Sequence, residues 1–214
     1  MKNNVLRVSA IAALAALVLV PALTADDVKA AKDDENDWLA LFNGEDLTGW
    51  EAEGGADWKV EEGQLVGRQG PDNAPGDLFT TKEFADFELV VEYKITWPAN
   101  TGIWFRYQAP DKAYQADILE YKDPECYSGS IYCPGKMFLS MNEDPDLEDH
   151  DGWNTMKVRA VGDHLQVWLN GKKVGDVHED SFDKGRIGFQ IHAGDQFGDM
   201  EIAVRKINIR TIGA

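Results

Sequence analysis

The chain has 214 residues, of which 43% are hydrophobic and 10% aromatic, enough apolar material for a packed core and too much for a disordered chain. Its formal net charge of −17 would repel a phosphate backbone, which argues against nucleic acid as a partner. After an N-terminal leader fewer than 200 residues remain, the length of one domain.

Lys2 and Arg7 precede an apolar run from Val8 to Val20 that stops at Pro21. A basic start followed by a short apolar stretch is the layout of a secretory signal peptide, expected over residues 1–25. The run is too short and Ala-rich for a membrane span, so no span is expected once the leader is removed, and the protein is expected in the periplasm or outside the cell. Residues 26–37 carry charge without apolar periodicity and form an acidic linker; the globular domain covers residues 38–214.

Within the domain, Trp58–Val60 and Gln64–Val66 flank Glu61-Glu62-Gly63, a hairpin signal. Gly67 to Asp77 is rich in Gly, Pro and Asp and reads as a loop. The clearest strand runs from Phe87 to Trp97, with Leu89, Val91, Tyr93 and Ile95 on one face and Glu88, Glu92 and Lys94 on the other.

Asn100 to Cys133 gathers the unusual polar chemistry. Ile103, Phe105 and Tyr107 alternate with Trp104, Arg106 and Gln108; Gln115 and Asp117 then share one face, opposite Tyr114, Ala116 and Ile118. Aromatic rings, a guanidinium, amides and a carboxylate on one sheet face suit a sugar, and an ordinary solvated sheet face is the alternative. Cys126 and Cys133 lie seven positions apart in a loop-like segment, and an oxidising compartment makes a local disulfide the expectation. That bridge would staple the loop after Glu120 and Lys122 and stiffen the rim of the site.

Asn142 to Gly152 is an acidic loop without the Gly and Glu positions of an EF-hand, so it reads as solvated, with a looser calcium site as the alternative. No motif fixes a cofactor, and a divalent cation stays open; no metal ligand set is assigned. From Trp153 a β-meander follows, with Asn170-Gly171 as a type I′ turn, a strand over 187–192 and a closing strand over about 200–210. Many short strands and no helical period imply an all-β sandwich.

LFNGEDLTGW, WKVEEGQLVG, LFTTKEFADFELVVEYKI, NTGIWFRYQ, WNTMKVRAVGDHLQVWLNGKKV and GRIGFQIHAG, in this order, resemble the 3-keto-disaccharide hydrolase domain family from Leu41 to Ile209. The resemblance implies a concanavalin A-like jelly-roll sandwich of two antiparallel sheets, a carbohydrate partner, and cleavage of glycosides whose sugar carries a ketone at C3. The chain departs from the family where Tyr-Glu-x-Gln is frequent: it has Tyr114-Gln115-Ala116-Asp117. Asp117 could have taken the role of the missing Glu, and Glu120 matches the family's acidic position at the end of that strand.

A C3 ketone acidifies the C2 proton, so a base can remove it and expel the C1 substituent, after which water adds to the unsaturated sugar. That chemistry needs a base, a group polarising the ketone and an acid beside the leaving oxygen. The candidates are His192, Asp117 and Glu120 for proton transfer and Arg106 for the ketone oxygen or a hydroxyl, with a salt bridge to Glu88 or Glu92 as the alternative for Arg106. Gln190 and Gln115 could orient hydroxyls, Trp104 and Tyr114 could stack on the sugar, and Lys122 stands at the rim. A lectin-like module without catalysis is the competing function. The oligomeric state is not encoded in any motif.

Overall fold

The computed structural model describes residues 37–213; the expected leader, most of the acidic linker and the last residue lie outside the described residues. Within the described residues the strands are, in chain order, β1 (Leu39–Ala40), β2 (Trp50–Gly54), β3 (Asp57–Glu61), β4 (Gln64–Arg68), β5 (Gly76–Phe84), β6 (Phe87–Ile95), β7 (Asn100–Ala109) and β8 (Lys112–Lys122). They continue as β9 (Glu125–Cys133), β10 (Met137–Asn142), β11 (Asn154–Val161), β12 (His164–Leu169), β13 (Lys172–His178), β14 (Gly185–Ile191) and β15 (Glu201–Thr211). One sheet has the order β13-β12-β11-β6-β15-β4-β3, with β1 beside β15, and the other has the order β10-β9-β8-β7-β14-β5-β2. Every paired strand is antiparallel, giving the expected jelly-roll sandwich. Among the described residues no helix is long and apolar enough to cross a membrane.

Period-two patterning explains the layers. Leu89, Val91, Tyr93 and Ile95 of β6 turn inward to meet Ile103, Phe105, Tyr114, Ala116 and Ile118 of the opposite sheet. Burying each large apolar side chain contributes roughly 1.5–3 kcal/mol. On the outer side of β6, Glu88 accepts from Arg210 at 2.6 Å and pairs with Lys157 at 3.0 Å, while Glu92 pairs with Arg205 and Lys206. The β3–β4 and β12–β13 hairpins turn through Glu62-Gly63 and Asn170-Gly171, all four at positive φ, as a type I′ turn requires.

Two stretches depart from the expected pattern. The segment carrying the cysteines is not a loop but strand β9, and both cysteines are free and buried within it. A strand advances about 3.3 Å per residue, so seven residues separate them by roughly 23 Å, far beyond the ~7 Å limit for a disulfide. The expected Cys126–Cys133 bridge is therefore ruled out.

The second departure is a β-bulge in β7. Arg106 has φ 50°, and the register of β7 slips against both β8 and β14 around it. Tyr107 consequently joins Trp104 on the outer face, and the Arg106 side chain, 1% exposed, leaves it. Its guanidinium donates to the carbonyls of Ala85 (3.1 Å), Gly162 (2.7 Å) and Phe182 (3.0 Å) and to Asp86 Oδ1 (3.0 Å). Arg106 thus ties the β5–β6 turn, the β11–β12 turn and the β13–β14 connection together. It is neither a ketone clamp nor a partner of Glu88 or Glu92, which are held by other cations.

Replacing Arg106 with Ala would take this donor from three carbonyls and the cation from Asp86, whose Oδ1 would keep only the Gly162 N–H. The expected loss is about 3 kcal/mol or more of unfolding free energy, read by urea denaturation. A variant as stable as the native protein would contradict this structural role.

Candidate functional site

The outer face of the β10-β9-β8-β7-β14-β5-β2 sheet carries two side-chain rows. In the first, Asp77 of β5, Gln190 of β14, Gly102 of β7 and Asp117 of β8 stand in register across four strands. In the second, Phe79, Gly188, Trp104, Gln115, Tyr132 and Phe138 stand in register across six. Each row has a glycine where a side chain would fill the face. A Cβ at Gly102 would lie 2.7 Å from the Gln115 side chain, and one at Gly188 would lie 2.3 Å from the Phe79 ring. The two glycines let these neighbours lie across the adjacent strand, and the face hollows into a cavity of about 380 Å³. That is within the size range of small-ligand pockets.

The structure brings five of the expected site residues to this cavity: Trp104, Gln115, Asp117, Gln190 and His192. Trp104 Nε1 donates to Asp77 Oδ1 at 2.9 Å, so its polar edge is engaged by the protein. Gln115 Nε2 donates to Gln190 Oε1 at 3.2 Å, which occupies the Gln190 amide oxygen and leaves its N–H groups without a protein acceptor among the described residues. His192 follows directly after β14 and is exposed. Its Nδ1 lies 2.6 Å from the Ala193 carbonyl oxygen. A carbonyl only accepts, so Nδ1 carries a hydrogen, and in the neutral ring Nε2 is then the basic nitrogen. Gln69 steadies this segment by donating to the carbonyls of His192 (2.8 Å) and Gly194 (3.0 Å).

Asp117 is the most unusual group. It is 2% exposed, and its Oδ2 has no hydrogen-bond partner. Burial alone pushes its pKa well above the ordinary carboxylate value, because no cation or donor offsets the desolvation. Asp77 is also pushed up, by burial first and by nearby Glu53, against the lowering effects of the Trp104 indole N–H and of His192.

Four expected site residues stand elsewhere. Arg106 is held in the bulge described above. Tyr114 points into the core, where its hydroxyl donates to the Glu179 carbonyl and accepts from the Phe182 N–H at 3.0 Å. Glu120 and Lys122 lie on the face of β8 opposite to Asp117, at its exposed end, and Glu120 pairs loosely with His150 at 3.7 Å. Alternation along β8 puts Leu119 and Tyr121 on the cavity instead.

Asp77, Tyr107, Tyr121, Tyr132 and Phe138 line the cavity but escape the sequence argument. Asp77 belongs to β5 rather than to the expected Gly67–Asp77 loop, because β5 already begins at Gly76. Alternation with Leu78, itself a core residue, is the one signal that could have placed Asp77. In the acidic loop, Asp144 pairs with Lys172 at 2.7 Å and Asp149 accepts from the Asp151 N–H at 3.0 Å. Among the described residues no three His, Cys, Asp or Glu side chains converge to hold a metal ion.

The family model of the 3-keto-alpha-glucoside-1,2-lyase-like domain matches residues 37–210. The chain belongs to this family. A 3-keto-disaccharide hydrolase of Bacteroides thetaiotaomicron is 29% identical over 81 residues, which are 34% of this chain; the chain spans 28% of that relative's length. Among solved structures, a candidate glycosyl hydrolase of Parabacteroides distasonis superposes with TM-score 0.63 at 21% identity, over 90% of this chain and 99% of that one. A carbohydrate-binding module of Bacillus subtilis superposes with TM-score 0.55 at 18% identity, over 77% of this chain and 97% of that one. Both structural likenesses concern the fold.

The raised pKa of Asp117 has a consequence for this family member's stability. The unfolded carboxyl ionises near 3.8, while the folded one stays protonated to higher pH. The native state then binds more protons than the unfolded state, so this group's contribution is fully present below pH ~4 and is lost as pH rises towards the folded pKa. Asp117→Asn removes that loss. Urea denaturation at pH 4 and pH 8 should show the variant gaining stability relative to the native protein at the higher pH. A pH-independent difference would contradict a raised pKa at Asp117.

Proposed function

We propose that the chain is a glycoside-cleaving enzyme acting on 3-keto-glycosides, with His192 as base and Asp117 as acid. The observation that supports this most is the meeting, on one cavity, of a carboxyl whose pKa burial raises well above the ordinary value with an imidazole whose Nδ1 hydrogen is held by the Ala193 carbonyl. His192 Nε2 takes the C2 proton, and the electron pair moves into an enolate whose oxygen receives the Gln190 amide N–H. The enolate collapses to a C1–C2 double bond as the C1–O bond breaks, and Asp117 gives its proton to the departing oxygen. Water then adds to C1, its proton restoring Asp117, while His192 returns a proton to C2. The net change is hydrolysis, with no redox change. The basic, apolar N-terminus supports export as the setting.

The test is incubation of the pure protein with a 3-keto-disaccharide. Native protein should cleave it, and His192→Ala and Asp117→Asn should each lose roughly 10²–10⁴-fold in kcat. Full activity in both variants would remove this pair from the chemistry. No cleavage of several 3-keto-glycosides, with measurable glycan binding, would favour a non-catalytic carbohydrate-binding module.

A further inference from the structure

The cavity has two unlike ends. Towards β5 and β14 it presents Asp77, Gln190 and His192, groups suited to hydroxyls and proton transfer. Towards β9 and β10 it presents Leu119, Tyr121, Tyr132, Pro134, Met137 and Phe138. The rings of this end contact one another edge-on, Tyr121 to Phe138 at 5.3 Å and Tyr132 to Phe138 at 6.1 Å between centroids. Four large hydrophobic side chains are notably exposed among the described residues, and two of them, Tyr121 at 36% and Met137 at 47%, stand here. Water-exposed apolar groups collected at one wall of a cavity mark a place that an apolar ligand covers.

We propose that this wall is the leaving-group subsite and that it takes an aromatic aglycone in preference to a second sugar. The inference rests on the 3-keto-glycoside reading, which puts the reacting sugar over the polar row. A second hexose at this wall would need partners for several hydroxyls, and the wall offers few polar side-chain atoms, the phenol oxygens of Tyr121 and Tyr132 and, at its inner edge beside Leu119, the amide of Asn100. A planar ring instead gains edge-to-face contact with the tyrosines and Phe138 and sulfur–aromatic contact with Met137. The opposite end of the groove, near Glu53 and Pro75, offers a second hollow of about 390 Å³ against Asp77 and His192, so the aromatic wall does not have to serve sugar extensions as well.

The experiment compares kcat/KM for phenyl 3-ketoglucoside and a 3-keto-disaccharide, with no-enzyme controls, in native protein and in Tyr121→Ala and Met137→Ala. Both side chains are exposed, so the variants should fold. Each variant should lose roughly tenfold on the phenyl glycoside, mainly through KM, and stay within about twofold on the disaccharide. Equal losses on the two substrates, or no loss on either, would overturn the subsite. Calorimetric binding of unoxidised phenyl glucoside against glucose separates this proposal from the reaction itself. If no keto-glycoside is cleaved, tighter binding of phenyl glucoside that Tyr121→Ala abolishes keeps the subsite while the enzymatic reading fails. Equal binding of the two sugars would defeat the subsite whatever the reaction.

Discussion

The bulge at Arg106 decides which side chains share the functional face. A regular strand would carry Arg106 beside Trp104 and send Tyr107 inward. One residue at φ 50° reverses this, and Tyr107 comes to stack on Phe79 with ring centroids 3.9 Å apart on the outer face. A non-glycine residue in left-handed conformation costs about 1–2 kcal/mol. Four hydrogen bonds from a buried guanidinium, each contributing about 1 kcal/mol or more, offset that cost and join three connections at one end of the sandwich. Strain and compensation sit at the same residue, so the bulge and the cavity wall stand together.

Against that scaffold the carboxyls whose pKa is raised by burial divide into two kinds. Glu148 and Asp77 are half-buried; the Glu148 carboxyl accepts from the Tyr93 hydroxyl at 2.6 Å, and Asp77 accepts from the Trp104 indole. Such donors stabilise a carboxylate, and these groups are accounted for by structure. Asp117 lacks one at Oδ2 and faces a cavity, across a glycine from an amide. A buried polar group without a partner costs stability, and a fold keeps one where a ligand completes it. The acidity of the chain as a whole does not decide this local chemistry; the dry position of one carboxyl does.

Much of the fold was legible. Strict alternation in β6, the Asn170-Gly171 turn and the spacing of the meander each follow from local rules that the packing does not override. Gln190 and His192 were legible for the same reason, since β14 continues its alternation to its end. What was not legible depended on irregularity or on the partner sheet. A bulge leaves no signature in alternation, so Arg106 and Tyr107 exchanged faces unseen. Tyr114 has the same pattern whether it meets a sugar or a core, and only the opposing Phe182 and Glu179 settle it. The Pro and Gly before Asp77 masked the start of β5, and the Cys126–Cys133 spacing resembled a stapled loop until both residues fell on one strand.

Proton abstraction at C2 is the step on which the roles of His192, Gln190 and Asp117 jointly depend. Cleavage of a 3-keto-disaccharide in heavy water, stopped early and corrected for enolisation without enzyme, reads it directly. His192 is exposed, so the proton it takes exchanges with solvent before one is returned, and deuterium is predicted at C2 of the released 3-keto sugar from the first measurable turnover. Released sugar that carries only hydrogen at C2 while cleavage proceeds would contradict it.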